Sequence, residues 1–262
     1  MSGTELSHGF RLVELASVAS TNDVARRLAD AGEPAGLIVR AERQTAGRGR
    51  HGRNWQSPPG NLYASLLLRP GRPIAEVASL SLIAALSLAE ALDQLSAGAL
   101  APVLKWPNDV LFGGAKLAGI LLESVADARD PMPALIVGMG VNVGWAPDAD
   151  LPYPASCLAA HGLEVTPRQT LEALLPPLRR RLDRWELHGF PAQREDWLAR
   201  AAGRGAPVAA RIGKRVVRGT LVDVDPGGAA CVERPDGTRE AVSAGEIVLG
   251  HANGLAQPPL RR

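Results

Sequence analysis

Short apolar runs, each bounded by polar residues, glycine or proline, recur along residues 1–143 of the chain. Runs rich in valine, leucine and isoleucine are typical of buried β-strands. The pattern predicts strands over residues 11–15, 36–42, 61–68, 103–106, 109–112, 117–124 and 134–143. Residues 43–60 show no apolar period and are rich in glycine, arginine, proline and serine, so a long loop is expected there.

Helical patterns alternate with these strands. The residues at 20–23, Ser-Thr-Asn-Asp, are good N-cap residues for an amphipathic helix that follows them. The apolar stretch 74–95 also contains three carboxylates, so it predicts a buried helix rather than a membrane span. Residues 167–187 and 190–202 predict two more helices, and Pro176-Pro177 is expected to interrupt the first of them.

The pattern changes after Gly203-Arg204-Gly205. From there, apolar segments of about five residues alternate with turns such as 225–228, Asp-Pro-Gly-Gly, which is typical of a small β-barrel. The chain is therefore predicted to be α+β, with a sheet-and-helix domain over 1–203 and a small β domain over 204–262.

Composition narrows the functional classes. The 262 residues carry a net charge of only +2, which argues against a dedicated nucleic-acid-binding domain. Cys157 and Cys231 lie far apart and no CxxC pair occurs, so neither a structural zinc site nor a disulfide framework is expected. Two reduced thiols fit a cytoplasmic protein.

The loop at 43–55 carries the most informative chemistry. It contains four arginines, three glycines and no acid, which suits a ligand with phosphate or carboxylate groups. Gly47, Gly49 and Gly52 fit the dinucleotide fingerprint G-x-G-x-x-G, but that motif requires a helix directly afterwards, and Pro58-Pro59 prevents one. Two readings stay open beside anion binding: a solvated basic loop, and a single-strand nucleic-acid binder with Trp55 as its stacking platform.

Four other segments combine turn or strand chemistry with functional groups. The segment 105–109, Lys-Trp-Pro-Asn-Asp, reads as a turn, but its Asp109 also suits magnesium. Lys116 begins an apolar strand, and its side chain is either exposed or turned into a pocket. The glycines at 138 and 140 mark either a bulge or a close backbone approach. The segment 20–22, Ser-Thr-Asn, is either a helix cap or a set of small polar groups for a ureido or amide head.

In this order, the motifs resemble one family closely. The stretches STN (20–22), QTAGRGRHGRNW (44–55), KWPNDV (105–110), KLAGILLE (116–123) and GMGVNV (138–143) look like the ligation core of biotin–protein ligases. The resemblance implies a mixed sheet with flanking helices, related to class II aminoacyl-tRNA synthetases. It also implies a small SH3-like C-terminal β-barrel.

The resemblance further implies a reaction in which biotin and Mg-ATP form biotinyl-5′-AMP, and biotin then passes to a lysine of the biotin carboxyl carrier domain of acetyl-CoA carboxylase or a related carboxylase. Lys116, Arg48 and Arg50 are then the expected catalytic residues, and magnesium is expected at Asp109. The expected biotin-binding residues are Ser20, Thr21, Asn22, Gln44, Arg48, Gly49, Arg50 and Lys116. The expected nucleotide-binding residues are Arg50, Arg53, Trp55, Lys105, Asn108 and Asn142.

Two departures from the family pattern affect these expectations. His51 stands where the family commonly has arginine, which weakens a phosphate contact or makes the loop sensitive to pH. The STN motif begins at residue 20, so we expect a monofunctional ligase with no N-terminal DNA-binding domain and no DNA partner. No membrane association is expected either, because residues 74–95 predict a buried helix. A lipoate–protein ligase remains the alternative enzyme, and the resemblance leaves a homodimer open.

Overall fold

The computed structural model describes residues 3–127, 130–148 and 154–249, and two antiparallel-rich sheets organise them. The larger sheet has eight strands in the order β1-β2-β3-β4-β8-β7-β6-β5. β2 and β3 pair in parallel, and the other neighbours pair antiparallel. The strands are β1 (Thr4–Glu5), β2 (Arg11–Val18), β3 (Leu37–Gln44), β4 (Leu62–Leu68), β5 (Val103–Lys105), β6 (Asp109–Phe112), β7 (Ala115–Asp127) and β8 (Asp130–Val141).

Helices cover both faces of this sheet. They are α1 (Thr21–Asp30), α2 (Leu80–Leu95), α3 (Pro167–His188) and the short α4 (Arg194–Leu198). Helix α1 packs on β3, β4, β7 and β8, where Val24, Ala25 and Ala29 meet a small apolar cluster that includes Val39 and Ile136. Helix α2 packs on the opposite face and is covered in turn by α3.

Residues 74–95 are long and apolar enough to cross a membrane, yet they form the central helix of the core. The segment starts as a 3₁₀ turn over Ile74–Ser79 and becomes α-helical from Leu80. Eleven of the sixteen residues of α2 are buried, on nearly all sides of the helix. A helix that is apolar all round is buried in a protein core or in a membrane. Here α3 and the sheet supply the protein core, as the sequence predicts.

The C-terminal part of the chain forms a second sheet, of five antiparallel strands in the order β12-β11-β10-β9-β13. These are β9 (Pro207–Ile212), β10 (Arg215–Val224), β11 (Ala230–Glu233), β12 (Arg239–Val242) and β13 (Glu246–Leu249). The edge strands β12 and β13 do not pair with each other among the described residues, so the expected barrel is present as an open sheet. Its inner face joins the main core, and residues 250–262 of the predicted second domain lie outside the described residues.

Two helix predictions are wrong. Pro176-Pro177 does not interrupt α3, which runs unbroken over Pro167–His188. Pro177 is itself buried, and the packing of the buried face of α3 against α2 compensates for the missing backbone donors. The helix expected over 190–202 is only a 3₁₀ turn followed by α4. The last residues of the segment 190–202 pair with β5 instead, since Leu104 N donates to Arg200 O and Ala202 N donates to Leu104 O.

Candidate active site

One cleft collects nearly all the predicted site residues. It lies where the start of α1, the arginine–glycine loop (residues 44–56) and the strands β7 and β8 meet, and Glu246 of the C-terminal sheet also lines it. Lys105 is absent from the lining because its side chain is buried behind Asp109. The predicted residues in the cleft are Ser20, Thr21, Asn22, Gln44, Arg48, Gly49, Arg50, Arg53, Trp55, Asn108, Asp109, Lys116 and Asn142.

An uncharged polar cluster lies at the start of α1. Ser65 Oγ contacts Asn22 Oδ1 at 2.5 Å and Thr21 Oγ1 at 2.7 Å. Gln44 Oε1 accepts hydrogen bonds from Thr21 N and Thr21 Oγ1, so Gln44 satisfies a backbone donor in the first turn of the helix. Ser20 occupies the N-cap position, but its side chain makes no capping hydrogen bond. The cluster is buried, and a ligand that enters it must replace water with matched hydrogen bonds.

The glycines in β7 and β8 make room for two side chains of the cleft. Gly119 pairs with Gly140 and Leu121 pairs with Gly138 in an unbroken ladder, so close approach, not a bulge, explains these glycines. The Trp55 ring lies on the first pair, and a Cβ on Gly140 would lie 2.7 Å from Trp55 Cε2. A Cβ on Gly138 would overlap the Asn22 amide.

The arginine–glycine loop is folded back on itself. Gly49 N donates to Arg53 O and Trp55 N donates to Gly47 O, around a 3₁₀ turn at Arg50–Gly52. His51 at this turn has a φ of 57°, in the left-handed region that non-glycine residues rarely adopt. The loop is therefore ordered by its own backbone and is not merely a solvated basic segment.

The two expected catalytic arginines of this loop have different partners. Arg48 binds Asp23 with both terminal nitrogens, at 2.8 and 2.7 Å. Arg50 Nη1 donates to Gly245 O at 2.9 Å and lies 3.5 Å from Asn108 Oδ1. Burial lowers the pKa of Arg50 from its usual value, although an arginine still remains charged at neutral pH.

Lys116 is turned into the cleft, which decides between the two readings of its strand position. Its Nζ lies 2.6 Å from Asp109 Oδ1 and 5.3 Å from the centre of the Trp55 ring. Lys105 Nζ lies 3.9 Å from Asp109 Oδ2 and 3.3 Å from Glu246 Oε1. Burial lowers the pKa of Lys105, and the two carboxylates oppose that shift.

Magnesium does not fit well among these side chains. No group of three His, Cys, Asp or Glu residues that suits a metal occurs in the described part of the chain. The carboxylate of Asp109, the predicted ligand, faces two lysine ammonium groups that would repel a dication. This arrangement disfavours the role expected for Asp109 and favours Asp109 as the partner that orients Lys116. Mg²⁺ prefers water and substrate phosphate oxygens, so it would arrive with ATP.

Asn142 is engaged by the backbone around it. Its Nδ2 donates to Lys116 O at 3.3 Å and to Ser156 O at 3.0 Å, and Asn142 N donates to Leu117 O. Asn142 therefore ties the end of β8 to the start of β7 and helps to place Lys116. A contact with adenine would use the side-chain oxygen, because both side-chain hydrogens already have acceptors.

Four further residues contact the site although the sequence predicts no binding or catalytic role for any of them. Ser65 bridges Thr21 and Asn22 from the middle of β4. Asp23 directly follows the STN motif, and Glu123 is the last residue of the KLAGILLE motif. Both carboxylates face Arg48. Glu246 reaches the cleft from β13 and binds Arg53 at 2.9 Å. Burial raises the pKa of Glu246, but the hydrogen bond from Arg53 and the charge of Lys105 lower it by more.

Comparison with known proteins identifies the class of enzyme and then the family. Residues 14–142 match the model of the Biotin/lipoate A/B protein ligase family, and residues 205–250 match the Biotin protein ligase C terminal domain. A biotin–[acetyl-CoA-carboxylase] ligase of Paracoccus denitrificans is 40% identical over 241 residues, which cover 90% of this chain and 99% of the relative. The chain belongs to the biotin–protein ligase family.

Solved structures agree with this assignment. A biotin protein ligase from Aquifex aeolicus, in complex with biotin and ATP, superposes with a TM-score of 0.78 at 30% identity. The superposition covers 92% of this chain and 99% of the Aquifex aeolicus chain. A biotin protein ligase from Leishmania major, in complex with biotinyl-5-AMP, gives a TM-score of 0.62 at 29% identity, with 89% and 98% covered. The predicted fold class, ligase-type mixed sheet with helices and a C-terminal β unit, is confirmed.

Proposed function

We propose that this chain activates biotin with ATP and attaches it to a lysine of a biotin carboxyl carrier domain. The observation that carries the proposal is a cleft that holds an uncharged polar cluster, at Ser20, Thr21 and Asn22, together with cations that include Arg50 and Lys116. Biotin has a neutral ureido head and an anionic tail, so one end matches each part of the cleft. The relatives named above support the same ligands.

The cations of the cleft reduce the electrostatic repulsion between the two substrates. In the first step, an oxygen of the biotin carboxylate attacks the α-phosphorus of ATP, and pyrophosphate leaves. Both reactants are anions, and two like charges about 4 Å apart repel by about 4 kcal/mol at an effective dielectric of about 20. Arg50 and Lys116 reduce this repulsion and stabilise the charge that builds up on the phosphoryl oxygens. Magnesium, bound to the ATP phosphates, would supply further charge neutralisation.

The other residues of the site position the biotin and Lys116. Asn22, Thr21 and Gln44 hold the ureido head through the polar cluster at α1, while Gly49 and Arg50 cover the carboxylate. Asp109 orients Lys116 by its ion pair, and Lys105 Nζ lies 3.9 Å from the same carboxylate on its buried side. No residue of the enzyme forms a covalent bond in this scheme, because orientation and charge are sufficient for phosphoryl chemistry.

Trp55 and its surroundings suit the adenine. The Trp55 ring offers a stacking face, and its Nε1 is buried without a hydrogen-bond partner in the structure. A buried donor with no acceptor is uncommon, and an acceptor on the ligand would satisfy it. Asn108, Arg53 and Asn142 complete the proposed nucleotide region, where Arg53 also joins the loop to Glu246.

In the second step, the carrier lysine amine attacks the carbonyl carbon of biotinyl-5′-AMP, and AMP leaves with the bonding electron pair. The carrier domain must therefore reach the cleft from outside. We infer that residues 1–203 form the catalytic domain and residues 204–262 a smaller domain that closes one side of the cleft through Gly245 and Glu246. The free thiols of Cys157 and Cys231 support a cytoplasmic location.

The first half-reaction can be tested without a carrier protein. We expect the protein to catalyse exchange of labelled pyrophosphate into ATP, and only when biotin is present, because pyrophosphate must recombine with bound biotinyl-5′-AMP. Exchange that is equal with and without biotin would contradict the proposed order of chemistry. Desthiobiotin keeps both the ureido group and the carboxylate of biotin. We therefore expect it to support the exchange as well, because the cleft is proposed to recognise these two groups.

A further inference from the structure

Arg48 is bound by two carboxylates rather than turned freely toward the cleft. Its guanidinium makes a two-pronged hydrogen bond to Asp23, and Nη2 lies 3.6 Å from Glu123 Oε2. The hydrogen bond from Arg48 lowers the pKa of Asp23 below its ordinary value, so this partner stays ionised at neutral pH. Two carboxylates thus face this guanidinium, and Arg26 is a second cation near them, 3.8 Å from Glu123. The two carboxylates offset much of the attraction of Arg48 for a further anion.

Arg50 provides the contrast within the same loop. Its hydrogen-bond acceptors, Gly245 O and Asn108 Oδ1, are neutral oxygens. The carboxylates of Asp109 and Glu246 act on Arg50 through their charge but accept no hydrogen bond from it. Arg50 therefore keeps charged donors for a carboxylate or phosphate, whereas the two parallel donors of Arg48 are bound to Asp23. Arg48 and Arg50 therefore differ in what they can offer a substrate.

Glu123 also contacts Asn22, a residue that lines the cleft. Its Oε2 accepts a hydrogen bond from Asn22 Nδ2 at 2.8 Å and lies 3.8 Å from Arg26. That hydrogen bond fixes the Asn22 amide, since it turns Oδ1 toward Ser65. Because the same carboxylate oxygen faces Arg48, a single group connects the floor of the cleft with the first arginine of the loop.

We propose that Asp23 and Glu123 are positioning residues that hold Arg48, and with it the start of the arginine–glycine loop, against helix α1. In this assignment Arg48 is a tether that acts through the loop backbone, and Arg50 is the guanidinium that meets the biotin carboxylate and the phosphate. The inference rests on the proposed adenylation of biotin. It revises the catalytic role that the sequence predicts for Arg48.

A tether and a catalytic cation respond differently to loss of the acid. Asp23→Asn removes the charge of the partner but keeps its size, and Arg48→Lys keeps the charge of the loop but removes the two-pronged bond. If Arg48 is a tether, both variants loosen the loop in the same way. If Arg48 binds the substrate, Asp23→Asn frees its charge and leaves binding intact or improved.

The experiment measures three quantities for the full chain: the release rate of biotinyl-5′-AMP, the KM for biotin, and the single-turnover rate of adenylation at saturating biotin and ATP. For each single variant we expect release and KM to rise about fivefold, the effect of about 1 kcal/mol. The single-turnover rate stays within about twofold of the parent, and the double variant is no worse than either single variant.

Glu14→Gln is the matched control, because it weakens the pairs of one carboxylate with two arginines, Arg40 and Arg168, away from the cleft. We expect it to leave all three quantities unchanged. Glu123→Gln, which keeps an acceptor oxygen for Asn22, is expected to raise the KM for biotin and the release rate. Melting temperatures of all variants separate a loosened loop from an unfolded chain.

Two results would overturn the tether. One is an Arg48→Lys variant with a slow single-turnover step beside an Asp23→Asn variant that behaves as the parent. The other is a double variant in which the two effects multiply. Failure of the parent to form any biotinyl-5′-AMP is a different result, since it rejects the proposed function before the variants are compared.

Discussion

Lys116→Ala is expected to lose adenylation by a factor on the order of 10² to 10³, while the protein stays folded. The lysine is the cleft cation held directly by Asp109, and no other described ammonium group lines the cleft. After its removal, Asp109 still has Lys105 at 3.9 Å, so no carboxylate is left buried without an opposite charge. Biotin-dependent release of pyrophosphate measures the loss, and the melting temperature measures the fold.

Lys214→Ala provides the control for this variant. Lys214 is an exposed lysine in the turn between β9 and β10, outside the cleft. We expect it to release pyrophosphate at the parental rate, which shows that lysine loss by itself has no effect. If Lys116→Ala also releases pyrophosphate at the parental rate, Lys116 has no part in the mechanism.

Arg50→Gly is expected to let biotinyl-5′-AMP escape and label lysines on unrelated proteins. The substitution removes a charged donor that holds the loop to Gly245 O and that covers the reactive anhydride. Charged hydrogen bonds contribute about 1.5 to 3 kcal/mol each, so release of the adenylate should rise on the order of tenfold to a hundredfold. Biotin incorporated into an added bystander protein, relative to the carrier domain, gives the measurement.

The companion variant is Arg43→Gly, which removes an exposed arginine of β3 just before the loop. Its labelling should remain confined to the carrier domain. An Arg50→Gly protein that retains its adenylate as tightly as the parent would show that Arg50 does not close the cleft. Burial lowers the pKa of Arg50, but from a value so far above neutral pH that the side chain stays charged. The pH dependence of these reactions should therefore not arise from Arg50.

The strands and the floor of the cleft follow from the sequence because their signals are local. Strands buried on both faces need nearly continuous apolar residues, and β4 carries such a run. The polar residues 20–22 and the loop residues Gln44 and Trp55 sit in contiguous motifs, and the cleft contains all of them. Gly140 carries a similar signal, since an interior glycine in an apolar strand is costly unless something approaches it.

The features that the sequence predicts wrongly or not at all are those determined by contacts between residues distant in the chain. β3 continues to Gln44 because it pairs in parallel with β2, which no local pattern reports. The proline pair in α3 is tolerated because packing against α2 outweighs local preference. Ser65 and Glu123 depend on strand register, and Glu246 enters the cleft from more than a hundred residues beyond Lys116. An acid at the start of a strand is otherwise unremarkable.

The most direct test is the intact mass of a biotin carboxyl carrier domain after incubation with the protein, Mg-ATP, and either biotin or lipoate. We predict a mass gain of one biotinyl group with biotin and none with lipoate, and no gain when the acceptor lysine of the carrier is replaced by arginine. A gain with lipoate alone would preserve the adenylate chemistry but contradict the substrate. No gain with either acid would contradict the central claim that this cleft ligates biotin to protein.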